Sequence, residues 1–267
     1  MLRDKIDIIV PSGMIFLAEG LYFTGHIETG QAVHALNIFL CFLLPLVLGT
    51  ELLLYQSFAL ISLIRVVGLG MPKFFSLTMY NYIPIYAAAI LGAIIVLREN
   101  RTMRQELAAI SSMLKGTWAR MRGSFWLWIS YLVVGILLGL MFASIEYYII
   151  FPESLVPSLS FANLVILGFI MIFFVGFGEE LMFRAILQRR LQSKMGVWPG
   201  VLLASLVFAA MHSIYISVPY LAYVFAVGLV LGVIYQRTKS LSFVSLVHGS
   251  INFFLFSLIP LGALRLF

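Results

Sequence analysis

Charged residues and cysteine are both scarce in this 267-residue chain. Only 10% of the residues are Asp, Glu, Lys or Arg, whereas 62% are apolar. A typical soluble domain is about 25% charged and about 45–50% apolar, and a disordered chain would be richer in charge still. The single cysteine, Cys41, excludes an internal disulfide framework. The composition therefore predicts a polytopic helical membrane protein.

Long stretches without charge mark the predicted membrane spans. A helix needs about 20 apolar residues to cross a bilayer. The stretches that contain no Asp, Glu, Lys or Arg and reach about that length are 29–50, 74–97, 123–145, 154–178, 195–236 and 240–264. We expect two spans in 195–236, with a turn near Ser217–Tyr220, and one span in each of the others. These stretches are apolar on every face rather than alternating, which favours helices over strands.

Two further segments carry isolated polar residues. Leu52–Gly70 is interrupted only by Arg65, which we expect near a span end where it can reach water, and we predict an eighth span there. Ile6–Phe23 is broken by Pro11 and Glu19, and is compatible with a ninth span, a re-entrant segment or an interfacial helix. The predicted fold class is all-α: a transmembrane helical bundle of about eight spans, seven to nine.

Basic residues predict the orientation of the chain, because cytoplasmic connections are enriched in Lys and Arg. Three connections are basic: 98–122, 184–194 and 237–239, whereas 150–160 and 214–219 carry no positive charge. This places the three basic connections in the cytoplasm and the C-terminus on the opposite side. The net charge of +6 is then explained by this topology and by attraction of the basic connections to anionic lipid headgroups. No nucleic-acid-binding motif is present.

The composition also suggests three regions along the chain. Residues 1–97 form N-terminal transmembrane helices of unknown role, 98–123 a basic linker, and 124–267 a transmembrane core with the polar motifs. Apolar residues recur every three or four positions in Glu99–Ala119, which predicts either an amphipathic helix on the cytoplasmic membrane surface or a solvated linker helix.

Polar residues inside a bilayer are costly, so those that persist need a reason. Three patches of them lie in the C-terminal half, at Gly178–Arg184, Phe208–His212 and His248–Asn252. Glu180 and Arg184 are four residues apart on a helix and can form a structural ion pair. Glu179 points about 100° away from Glu180, which leaves its carboxylate available for chemistry.

The other two patches repeat the spacing of four residues. Phe208 can pack against the imidazole of His212, and His248 and Asn252 can project into one cavity. A carboxylate, two imidazoles and a carboxamide suit peptide hydrolysis. Glu179 would deprotonate a water molecule, and His212 would position that water or share the proton transfer. His248 and Asn252 would donate hydrogen bonds to the oxyanion.

The three patches resemble a known family. Glu179-Glu180-x-x-x-Arg184, Phe208-x-x-x-His212 and His248-x-x-x-Asn252 are similar to the ordered motifs of the CPBP (CAAX protease and bacteriocin-processing) family of intramembrane proteases, which includes the Rce1-type CAAX prenyl endopeptidases. The resemblance implies a glutamate-dependent endopeptidase that needs no cofactor. It also implies a peptide or prenylated-protein substrate, cut near its C-terminus within the lipid bilayer. One small departure is Ala185, where many relatives have Gly.

Alternatives remain at this point. Glu179, His212 and His248 could instead hold a zinc ion as ligands of a zinc-dependent membrane protease, although no H-E-x-x-H motif is present. A non-catalytic membrane scaffold or immunity protein would keep its function without Glu179. A transporter would show repeated halves or paired broken helices, and the sequence shows neither.

Overall fold

The computed structural model describes residues 2–50, 52–70, 78–99 and 125–264. Within these ranges the chain forms helices and no strand, which confirms the predicted all-α class. The nine helices of the described residues are α1 (Leu2–Phe23), α2 (Ile27–Leu48), α3 (Leu52–Gly70), α4 (Tyr82–Glu99), α5 (Phe125–Ile150), α6 (Phe161–Met195), α7 (Val197–Ala210), α8 (Val218–Thr238) and α9 (Leu241–Leu255).

Seven of the nine described helices are long and apolar enough to cross a membrane, which falls within the predicted seven to nine. The protein is therefore an integral membrane protein. The two shorter apolar helices, α7 and α9, have 14 and 15 residues, fewer than the roughly 20 that a full crossing needs. Both occupy stretches predicted as spans. Helix α7 is short because Gly196, with φ of 92°, separates it from α6, and a turn follows Ala210.

Residues Ile6–Phe23 belong to one continuous helix, α1, despite Pro11. This helix is among the seven long enough to cross. One of its acidic residues, Glu19, is buried rather than facing lipid. The expectation that Arg65 reaches water is wrong: Arg65 is only 9% exposed and forms an ion pair with Glu19, which satisfies both charges inside the protein. The predicted linker helix Glu99–Ala119 lies outside the described residues except for Glu99, which ends α4.

The described residues pack as two compact units that alternate along the sequence. The first comprises the described parts of Met1–Leu77 together with Met182–Val233, and the second those of Thr78–Leu181 together with Ile234–Phe267. These units are defined by packing, whereas the predicted regions 1–97, 98–123 and 124–267 were defined by composition and stay a prediction.

In the first unit, α1, α2 and α3 pack against one another, and α7 packs against the end of α6. Gly200 permits the last contact, since a Cβ atom there would lie 2.6 Å from the backbone nitrogen of Gln192. In the second unit, α9 packs against α5 and against α6, and α6 also contacts α4. Ser160 and Ser240 cap the N-termini of α6 and α9 by accepting a backbone N–H bond.

Candidate active site

Helix α6 carries the first polar motif in an unusual stretch of backbone. Two π-helical segments, Ile170–Gly176 and Leu181–Gln188, flank a single α-helical turn, Phe177–Glu180. A π-helix bonds residue i to residue i+5, and such segments are frequent at functional sites. Glu179 and Glu180 are the last two residues of the turn between them, so the irregular backbone fixes the direction of both carboxylates.

Glu179 lies in the second unit and has two polar neighbours. The hydroxyl of Tyr86 on α4 donates a hydrogen bond to Oε1 of Glu179. The Oε2 atom lies 3.7 Å from Nε2 of His248. The side chain of Glu179 is 14% exposed, whereas that of Glu180 is fully buried. Of the two adjacent carboxylates, Glu179 is thus the more exposed one.

His248 lies on α9 with both ring nitrogens turned toward carboxylates. Its Nδ1 atom is 2.8 Å from Oε1 of Glu180, and its Nε2 faces Glu179. Because a carboxylate accepts, Nδ1 carries a proton in this arrangement. When Nε2 is protonated as well, its N–H points toward the space beside Glu179. Asn252 follows one turn later on α9 and is partly buried.

Two glycines allow α9 to approach α6 closely enough for these contacts. A Cβ atom on Gly176 would lie 2.7 Å from the backbone nitrogen of Gly249, and a Cβ atom on Gly249 would lie 2.5 Å from Cα of Ile172. Real Cβ atoms do not come that close, so the backbones touch only because both residues lack a side chain. Gly249 directly follows His248, so this contact sets the depth of the imidazole against the two glutamates.

His212 belongs to the first unit, in the turn after α7. A carbonyl can only accept, so the Nδ1–H of His212 donates to the carbonyl oxygen of Phe208, at 3.0 Å. The neutral ring then has Nε2 as its acceptor nitrogen. The centroids of the Phe208 and Tyr220 rings lie 5.1 Å and 5.9 Å from the centroid of the imidazole. The local fold thus fixes both the tautomer and the orientation of His212.

Arg184 and Phe208 are packed together in the same unit. Arg184 is fully buried, and its guanidinium carbon lies 5.0 Å from the centroid of the Phe208 ring, a cation–π distance. Phe183 packs edge-on against the same ring at 5.1 Å. Phe208 therefore supports both Arg184 and His212. The ion pair between Glu180 and Arg184 stays a prediction.

The predicted site residues fall into two groups. Glu179, Glu180 and His248 are in contact within the second unit, and Asn252 lies one helical turn from His248. The first unit contains the other three predicted residues, which are Arg184, Phe208 and His212. The convergence of the two groups around one water molecule stays a prediction.

Tyr86 is a site residue that the sequence did not single out. It lies inside an uncharged run, and tyrosine carries neither charge nor a motif, so a search for intramembrane charge passes over it. The i, i+4 spacing of Tyr82 and Tyr86, whose rings stack at 6.3 Å, is the one local signal that they share a helix face.

The zinc alternative requires Glu179, His212 and His248 to lie close enough to bind one ion. Within the described ranges, no three His, Cys, Asp or Glu side chains are placed to hold a metal ion together. The absence of a cofactor stays a prediction.

The fold and the site define a class: an integral membrane protein with a buried carboxylate–imidazole cluster on helices. The Rce1-like family model, described as type II CAAX prenyl endopeptidase Rce1-like, matches residues 161–254. This segment contains all three motifs and is less than half of the chain, and the match confirms the resemblance to the CPBP family. It indicates a membrane protease of the CAAX endopeptidase type. No curated protein and no solved structure matches the chain.

Proposed function

We propose that this protein is an intramembrane endopeptidase that uses a glutamate-activated water molecule. The observation that carries the proposal is the position of Glu179, which is partly accessible and close to His248, inside the segment that matches the Rce1-like model. The neighbouring Glu180 is fully buried and engaged with His248. One carboxylate of the pair thus serves chemistry and the other holds the imidazole.

In the proposed reaction, the Glu179 carboxylate removes a proton from water as the resulting hydroxide attacks the scissile carbonyl carbon. The carbonyl π electrons move to oxygen, and a tetrahedral oxyanion forms. His212, with Nε2 as its acceptor nitrogen, positions the water or shares its proton. Glu179 then returns the proton to the leaving amine as the C–N bond breaks. The Tyr86 hydroxyl holds the Glu179 carboxylate in place.

The proposed oxyanion site is formed by His248 and Asn252. His248 donates from Nε2 while its Nδ1–H is held by Glu180, and Asn252 donates from its carboxamide. In other hydrolases the loss of one such donor lowers kcat by about 10²–10³-fold. Because Glu180 is buried and accepts the bond from Nδ1, it keeps the ring oriented before substrate arrives.

The proposed substrate is a membrane-bound peptide cut near its C-terminus. The match to a CAAX prenyl endopeptidase model supports a prenylated cysteine followed by three residues, with the tripeptide as the leaving product. The lipid would enter from the bilayer, and the peptide would reach Glu179 at the protein interior.

The test is cleavage of a farnesylated C-terminal peptide by the purified protein in lipid vesicles. We expect Glu179→Gln to lower kcat by about 10²–10⁴-fold, the usual contribution of a general base, because the carboxamide cannot accept the proton of water. The shape of the side chain is kept, so the protein should remain folded. Product mass spectrometry measures the rate and identifies the bond that is cut.

Glu153→Gln is the matched control, since Glu153 is an exposed glutamate of the same unit. It should cleave at the wild-type rate. Unchanged turnover in Glu179→Gln would overturn the glutamate mechanism. Loss of activity with a chelator and recovery with zinc would favour the metal-dependent alternative instead, and a wild-type protein that cuts no lipidated peptide would favour a scaffold.

A further inference from the structure

The short turn that follows His212 ends on a residue with strained backbone. After α7 the chain makes a single 3₁₀ turn, Ser213–Tyr215, and then Ile216 adopts φ of 51°. Left-handed backbone is rare for a β-branched residue, and such a residue persists only where its surroundings determine the conformation. The contacts of the residues on either side of His212 therefore matter.

Two side chains from the N-terminal helices hold the residues on either side of His212. A guanidinium nitrogen of Arg65, on α3, donates to the carbonyl oxygen of Met211. The hydroxyl of Ser213 donates to Oε2 of Glu19, on α1, at 2.5 Å. His212 is thus bracketed by one bond to each member of a buried ion pair.

That ion pair is itself held rigidly. Arg65 donates to Glu19 from Nε at 2.7 Å and from Nη2, so the pair is bidentate. His34 on α2 lies 3.1 Å from the same carboxylate and 3.1 Å from the hydroxyl of Ser62. The ring of Tyr22 stacks on His34 and lies 5.1 Å from the Arg65 guanidinium carbon. Three helices therefore converge on one carboxylate.

Burial of an ion pair in a membrane protein is costly. Apolar residues of similar volume often stabilise a fold at least as much as a buried ion pair does. A buried pair in which each member also bonds to the same turn is better explained by a need for a fixed geometry there. The pair lies in helices outside the segment that matches the Rce1-like model, residues 161–254.

We propose that Glu19 and Arg65 are positioning residues for His212, an inference that rests on the role of His212 in the proposed function. They set the backbone of Met211 and Ser213, and through it the direction of the imidazole. The N-terminal helices then contribute to catalysis without touching the substrate.

Ser213→Ala is the sharpest test, because it removes one bond to the pair and leaves both charges buried together. We expect kcat to fall by about 10- to 100-fold with KM unchanged, since small displacements of catalytic groups have effects of this size. Ser57→Ala is the matched control. Ser57 is a buried serine on α3 whose hydroxyl donates to Leu53 of its own helix, at 2.8 Å, and this variant should retain wild-type kcat.

Arg65 supplies a second comparison. Arg65→Met leaves Glu19 without its cation and should lose activity and thermal stability together. Arg65→Lys keeps the charge but not the bidentate geometry, so it should recover stability while kcat stays at least about tenfold low. Recovery of both quantities in Arg65→Lys would contradict a positioning role.

Hydrogen exchange gives a readout that does not need enzymatic activity. In Ser213→Ala, the amides of the turn, such as Tyr215, which bonds to the His212 carbonyl at 3.2 Å, should exchange faster, and in Ser57→Ala they should not. Faster exchange in a protein that cuts no peptide would leave the support of the turn standing and would end the proposed function. Unchanged exchange together with wild-type kcat in Ser213→Ala would overturn the inference while the protease remains.

Discussion

At the scale of single residues, His248 shows how one side chain links two carboxylates of different exposure. Its Nδ1 is held by the buried Glu180 and its Nε2 faces the accessible Glu179. The pairing gives each glutamate of an adjacent acidic pair a distinct environment. The sequence suggested such a division and predicted Arg184 as the partner of Glu180. That ion pair stays a prediction, and the structure adds the bond between Glu180 and His248.

A main role of Glu180 in holding His248 and a main role in pairing with Arg184 predict different results for Glu180→Gln. Glu180→Ala should lower kcat by about 10²-fold or more, because His248 loses the acceptor that orients it. Glu180→Gln keeps an oxygen that accepts from Nδ1–H, so it should recover part of that loss. If the ion pair with Arg184 is the main contribution instead, the carboxamide will be as inactive as the alanine variant. Steady-state kinetics of both variants distinguish the two cases.

The sequence could identify Glu179, Glu180 and His248 because charge and imidazole stand out in apolar runs. It could not identify the bonds of Glu19 and Arg65 to the His212 turn. Those residues are separated by long stretches of chain, and no local spacing reports their contact. For the same reason, an isolated Arg65 in an apolar run suggested exposure near a span end, whereas the structure buries it against Glu19.

At the scale of helices, the contact between α6 and α9 determines whether the site can form. The backbones meet at Gly176 and Gly249 with no room for a methyl group. The apolar pattern of both helices was evident from the sequence. The close approach was not, because a glycine in an apolar run is equally consistent with a kink, a packing contact or chance.

Gly249→Ala should therefore damage both folding and activity. The added Cβ would lie 2.5 Å from Cα of Ile172, so the helices must separate, at a cost of about 1–3 kcal/mol for an overpacked site. We expect a lower thermal unfolding temperature in detergent and a lower kcat, because His248 moves with the backbone.

Gly168→Ala provides the control for the same pair of helices. A Cβ atom there would meet only the Phe253 side chain, at 3.6 Å, which is an ordinary contact. This variant should match the wild type in stability and turnover. Equal behaviour of the two alanine variants would show that the close approach at Gly249 is not required.

At the scale of the whole molecule, charge counting was a good guide to the number of helices and a poorer guide to their length. It predicted that α7 and α9 are full membrane spans. In the structure they have 14 and 15 residues, fewer than a full crossing needs. Uncharged runs include the turns that end a helix, such as the one at Gly196, so the run is longer than the helix. The orientation of the chain in the membrane stays a prediction from its basic connections.

Cysteine labelling tests that orientation, since the only native thiol, Cys41, is buried. In a Cys41→Ala background, we expect Ser158→Cys to react with a membrane-impermeant maleimide in intact cells. Ser193→Cys, in a basic connection, should react only after permeabilisation. Both positions are exposed. Labelling of both from the same side, or in the reverse order, would refute the predicted topology.

The π-helical segment Ile170–Gly176 makes the count of residues ahead of Glu179 as important as their identity. Each wide turn accommodates one residue more than an ordinary turn would. A deletion or insertion that the wide turns do not absorb would rotate the carboxylates about 100° away from α9, although every motif letter would still be present. Alignment gaps in this segment should accordingly be rarer among active relatives than changes of amino acid.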